Sequence, residues 1–243
     1  MVGANIALRK RLLPRVPQFE LLPENGDERT EYANLADFES ILERFTEREE
    51  GIRGLTRFAY FSGRRRGQLC ELLWSNVEFD GEGRPACIKF PAKNVKNRKN
   101  DVIPLTSELR AIISRQLEDR AIERPDGTTT LARHVFHVDG EKIKPGRVSR
   151  VWRKHADEAG FPNLRFHDTR ACFGTNAMRS GKVDEKTFTR LGGWRTDYAA
   201  KKYRRINEQD LVDGFEAVEE FAKSQRRRRV VPIDEKRAAD HAG

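Results

Sequence analysis

An α+β fold, mainly helical with a small three-stranded antiparallel sheet, is what this chain predicts. Three observations carry it. Apolar residues recur at spacings of three and four over most of the length. Strand signals, short apolar segments set off by a turn, are confined to one central stretch, residues 77–105. The 243 residues are 37% hydrophobic and 35% charged, which suffices for a large domain with a buried core under a charged surface.

Taken in order, residues 1–30 show no sustained period and carry Pro14, Pro17 and Pro23 with Gly26 nearby, so they read as an extended arm or linker. From Asn34 the pattern becomes helical through Leu35, Phe38, Ile41, Leu42 and Phe45. A second helix holds Ile52, Leu55, Phe58, Ala59 and Phe61, and a third runs from Arg66 to about Trp74. Val77–Phe79, a turn at residues 80–83, Ala86–Phe90 and Val102–Leu105 give the sheet, with a basic tip between its second and third strands. Thr106 or Ser107 caps a helix through about Glu123, followed by a loop at 124–130. A helix from about Arg147 stops at Gly160, whose type suits a left-handed C-terminal position. Further helices cover about 167–179, 184–191, 197–205 and 208–225. The expected organisation is an arm at 1–30, one compact domain at 31–225 and a basic tail at 226–243.

Lys and Arg total 47 against 38 Asp and Glu, a net charge of +9 that points to a polyanionic partner. Cys70, Cys87 and Cys172 are odd in number and widely spaced, which argues against a disulfide framework or a zinc site. His134 and His137 lack a third ligand and read as structural. No stretch approaches the ~18 apolar residues of a membrane span, and no secretory signal core opens the chain, so a soluble cytoplasmic protein is expected.

Two distant stretches hold the chemistry. Arg65 lies in Phe61-Ser-Gly-Arg-Arg-Arg-Gly67, at a helix start after a tight Ser-Gly turn; His167-Asp-Thr-Arg170 places an imidazole and a guanidinium three apart, on one helix face. Leu191-Gly-Gly-Trp194 follows, then Tyr203. Guanidinium forks match the non-bridging oxygens of a phosphodiester and stay charged at any working pH. With an imidazole, an indole donor and a phenol they make up the set that covalent strand cutting through tyrosine requires. Two basic stretches accompany it. Residues 89–100 carry five basic side chains and residues 142–154 carry six, neither with an acid. Arg147, Arg150 and Lys154 fall near one helical face suited to a phosphate backbone. Arg64 and Arg66 flank Arg65 and are assigned to other phosphates, as are Lys93, Arg98 and Lys99 of the basic tip.

The ordered series Arg…Lys…His-x-x-Arg…Trp…Tyr resembles the catalytic domain of the tyrosine recombinases, the phage integrase family, over about residues 30–222. The resemblance implies a site-specific recombinase that works through a 3′-phosphotyrosine, with no metal or cofactor. It implies Arg65 and Arg170 as phosphate clamps, His167 as proton acceptor or phosphate donor, Trp194 as a further phosphate donor and Tyr203 as nucleophile, with Tyr198 the competing phenol. It picks out Lys96, eight residues before Pro104, as general acid for the leaving 5′ oxygen; Lys93 and Lys99 are rivals. Gln68 stands where the family has an acid. Double-stranded DNA is the implied partner, in a self-assembled tetramer with accessory DNA-bending proteins and a nucleoid location, and a stripe of Leu211, Phe215, Val218 and Phe221 suits assembly. A type IB topoisomerase and a non-catalytic DNA-binding module are the alternatives.

Overall fold

Asn34 starts the first helix by reciprocal capping. Its side-chain oxygen accepts the Asp37 N–H at 3.0 Å, and the Asp37 carboxylate accepts the Asn34 N–H at 3.3 Å. The computed structural model describes residues 31–90, 101–193 and 208–226, and helix α1 spans Leu35–Leu42. Helix α2 (Glu50–Ser62) lies at the centre, with Ile52, Leu55, Phe58 and Ala59 fully buried along it. Phe38 of α1 stacks on Tyr60 of α2 with ring centroids 4.0 Å apart. A Cβ on Gly51 would sit 1.8 Å from the His137 carbonyl oxygen, so only glycine lets α2 approach the chain at His137 this closely.

Helix α3 (Arg66–Cys70) is shorter than the sequence predicts. Past Cys70 the backbone pairs sideways instead: Val135 N–H donates to the Leu72 carbonyl at 2.9 Å, and Trp74 N–H to that of Arg133 at 3.1 Å. Leu69, Leu72 and Trp74 are buried along this turn, so burial of these side chains, not helical period, fixes its path. A short 3₁₀ turn (Trp74–Asn76) leads into the sheet β1 (Val77–Phe79), β2 (Pro85–Phe90) and β3 (Asp101–Pro104), antiparallel in that order as expected.

Helix α4 (Ser107–Glu118) also stops early. The residues assigned to its last turn form β4 (Ala121–Glu123), which pairs with β5 (Thr129–Leu131), so the expected loop is a hairpin turn. Asp126 and Gly127 make the turn: the Asp126 carboxylate accepts the Thr128 N–H at 2.9 Å, and Gly127 has φ +80°. A second small hairpin joins β6 (His137–Val138) to β7 (Glu141–Lys142).

Helix α5 (Pro145–Glu158) packs Trp152 into the core, where its indole N–H donates to the Leu164 carbonyl at 2.9 Å. Gly160 behind it has φ +89°. Helix α6 (Asp168–Arg179) packs on α2, and α7 (Glu185–Leu191) on α6. Helix α8 (Glu208–Arg226) closes the described chain with Phe215, Val218 and Phe221 exposed by 66–70%. The described residues from Tyr32 onward belong to one unit. The predicted arm at 1–30, the basic tip at 91–100, the helix at 197–205 and the tail beyond 226 lie outside the described residues.

Candidate active site

The turn between α2 and α3 is built to bring two distant arginines together. Gly63 ends α2 with φ +62°, a left-handed conformation that side chains resist, and a Cβ there would lie 2.4 Å from the Phe173 ring. Phe173 belongs to α6, so glycine is what lets this helix close on the turn. Its contact is locked by Arg170, which is 3% exposed and donates through Nη1 to the Gly63 carbonyl oxygen.

Arg65 follows two residues later, half-buried at the N-cap of α3. Its backbone N–H donates to Gln68 Oε1 at 3.3 Å. The residue that departs from the family pattern therefore still orients the arginine, through an amide oxygen in place of a carboxylate. Arg65, Arg66, His167 and Arg170 line one cavity of about 310 Å³ with Pro145 and Phe166. Arg66 reaches out of this group to α5, where its Nη1 donates to Ser149 Oγ.

His167 keeps an exposed edge, yet burial of the rest of its ring pushes its pKa below the ordinary value, and the positive charge of Arg170 pushes the same way. Asp168 opposes this, while Arg65 and Arg66 add to it. An imidazole among guanidiniums is thus neutral near pH 7 and able to take a proton. The cavity combines fixed positive charge, forked donors and one neutral base. Those are the requirements for holding a phosphodiester while a hydroxyl attacks it.

The other sequence-predicted residues fall in three groups. Arg147, Arg150 and Lys154 are exposed on α5, which begins at the cavity with Pro145. Lys93, Lys96, Arg98, Lys99, Trp194, Tyr198 and Tyr203 lie outside the described residues. Arg64 is a correction: its side chain is only 2% exposed and its Nη1 is engaged by the Asp101 carboxylate, so it is no contact for DNA phosphates. Sequence reasoning also missed Phe173, Asp101 and Ser149. Asp101 alone carried a signal, as the single acid ending a long basic stretch.

The Phage integrase family matches residues 33–210, most of the chain. This chain belongs to the phage integrase family. One curated relative in the family, the integrase of Salmonella phage P22, is 20% identical over 174 residues, covering 68% of this chain and 42% of its own length. The chain therefore spans less than half of that integrase. Among solved structures, XerA recombinase aligns with a TM-score of 0.58 at 18% identity, covering 82% of this chain and 66% of its own. The Tn1549 transposon integrase in complex with transposon right end DNA aligns with a TM-score of 0.61 at 16% identity, covering 89% and 76%. A lambda integrase tetramer bound to a Holliday junction gives 0.54 at 17% identity, covering 84% and 57%. At such identities these likenesses establish the integrase catalytic fold. Among the described residues no helix is long and apolar enough to cross a membrane, and no cluster of three side chains could hold a metal ion.

Proposed function

We propose that this phage integrase family chain is a site-specific recombinase that cuts and rejoins double-stranded DNA through a 3′-phosphotyrosine. One observation supports it above the rest: Arg65, His167 and Arg170, which are more than 100 positions apart at the extremes of the motif, line one cavity of about 310 Å³. In this reading the two guanidiniums hold the non-bridging oxygens and stabilise the charge that gathers there. Removing one such charged donor typically costs on the order of 10²–10³ in rate.

A tyrosine phenol, with an ordinary pKa of about 10, is protonated near neutrality. The adjacent arginines favour its ionised form, and neutral His167 takes the proton. The Tyr203 oxygen then bonds to phosphorus as the bond to the 5′ oxygen breaks. Lys96 gives its proton to that leaving oxygen, and Trp194 adds a donor to the phosphate. A new 5′-hydroxyl reverses the sequence, with the phosphotyrosine as leaving group. Four protomers assemble on two duplexes through the exposed face of α8, with DNA-bending proteins as accessories and the nucleoid as the place of action. Residues 31–225 make the catalytic unit, with 226–243 a basic tail. The type IB topoisomerase alternative gains nothing from the family match.

Covalent trapping tests the reading. Protein is mixed with nicked duplexes of the element's junctions that release a short fragment after cleavage, and denaturing gels are read for an adduct. The adduct is expected with the parent and absent with Tyr203→Phe, while DNA affinity stays unchanged. An adduct that persists in Tyr203→Phe overturns the nucleophile assignment in favour of Tyr198. No adduct despite tight binding leaves a DNA-binding module.

A further inference from the structure

Arg64 immediately precedes the phosphate clamp Arg65, but its guanidinium turns inward. Three parts of the molecule meet on it. Nη1 pairs with the Asp101 carboxylate at the start of β3. The guanidinium carbon lies 5.1 Å from the centre of the Phe90 ring at the end of β2. Nη2 approaches the carbonyl oxygen of Leu191, at the C-terminus of α7, at 3.5 Å. Phe90 and Asp101 are direct partners in the sheet, and they flank the basic residues 91–100. Leu191 stands three residues before Trp194. Gly193 completes the arrangement: with φ +59°, its absent Cβ would lie 3.4 Å from Arg64 Nη1 and 3.6 Å from the Asp101 carboxylate. A side chain there would touch the ion pair at ordinary van der Waals distance and would be strained by the left-handed φ.

The flat guanidinium, with its donors fixed in a fork and its face free to lie on a ring, is suited to meeting a carboxylate, a carbonyl and an aromatic ring at once. A buried charge is tolerated only while its partners stay in place. The three segments are therefore coupled, since separating any one leaves the guanidinium poorly satisfied. We propose that Arg64 is a positioning residue for strand cleavage. It pins both strand ends that flank residues 91–100 to the base of Arg65 and to the end of α7, and so sets where the leaving-group acid in that stretch stands relative to the held phosphate. This rests on the recombinase reading above.

The test compares two substrates for Arg64→Met. One has the ordinary oxygen bridge. The other carries sulfur at the 5′ bridging position, so that a thiolate departs without needing a proton. The expected result is cleavage of the oxygen substrate slowed on the order of 10²-fold, the loss that follows a misplacement of about 1 Å. The sulfur substrate is cleaved at close to the parent rate, and DNA affinity changes by less than about three-fold, since no phosphate contact is lost. Limited trypsin digestion gives a readout independent of activity: cutting after Lys93, Lys96, Arg98 or Lys99 becomes faster while the rest of the chain stays resistant. Equal slowing on both substrates, or unchanged rates with an unchanged digestion pattern, overturns the proposal. If Arg64→Met does not fold, Asp101→Asn approaches the same pair from its more accessible end and carries the same expectations. If the parent forms no adduct with either substrate, the recombinase reading fails. The digestion then decides the anchoring alone, with faster cutting in 91–100 upholding it and no change overturning it.

Discussion

His167 sits among three guanidiniums, and that neighbourhood sets its proton chemistry. Burial and positive neighbours both oppose its charged form, so its pKa lies below the ordinary 6.5. The sign follows: the imidazole stays neutral and competent through pH 7, and competence is lost only as pH falls through the lowered pKa. Single-turnover cleavage by the parent should therefore hold steady near neutrality and decline on an acid limb below pH 6.5. His167→Gln should slow cleavage about 10²-fold and remove that limb; a limb that survives the substitution would assign it to another group. Gly63 makes a second prediction at this scale. A left-handed φ costs a substituted residue about 1–2 kcal/mol, and contact with Phe173 adds to it. Gly63→Ala should lower stability by roughly 2–4 kcal/mol, read as a shift of the denaturant midpoint. Arg65, His167 and Arg170 were legible in the sequence because chemistry restricts their residue types. The inward turn of Arg64 was not, because one arginine in a run of three looks the same whether it faces solvent or a carboxylate 37 positions away.

Between residue and fold, the long periodic helices and the three-stranded sheet could be read directly, since each buries a face whose spacing shows in the sequence. The ends of α3 and α4 could not. Trp74 and the residues beside it continue a helical pattern, but their backbone pairs with 133–135. Ala121 and Glu123 are good helix formers that join a strand because Asp126 and Gly127 turn the chain back on them. Tertiary pairing overrode local propensity in both places. Helix α5 offers the prediction at this scale. With Arg147, Arg150 and Lys154 exposed on it, replacing all three by alanine should flatten the dependence of log K on log salt by about 2.5–3 if each neutralises one phosphate. Cleavage at saturating DNA should change little. Affinity measured across a salt series gives the slope, and an unchanged slope would remove α5 from the interface.

For the molecule as a whole, the sequence carries a net charge of +9, and α8 exposes Phe215, Val218 and Phe221. Replacing those three with serine should abolish assembly on paired sites, seen by mass measurement of the complexes. Cleavage of a single half-site by one protomer should persist. The cysteines bear on how such experiments can be followed. Cys70 and Cys172 are buried, and burial raises both thiols to about 11. Cys87 is partly accessible on β2, its thiol donating to Glu78 at 3.1 Å, which raises its pKa as well. Mildly alkaline maleimide chemistry on the unmodified chain should therefore place one fluorophore, three residues before the strand end that runs into the basic stretch. A change in its emission on adding DNA would report on that strand in real time, with no engineered cysteine and no radiolabel.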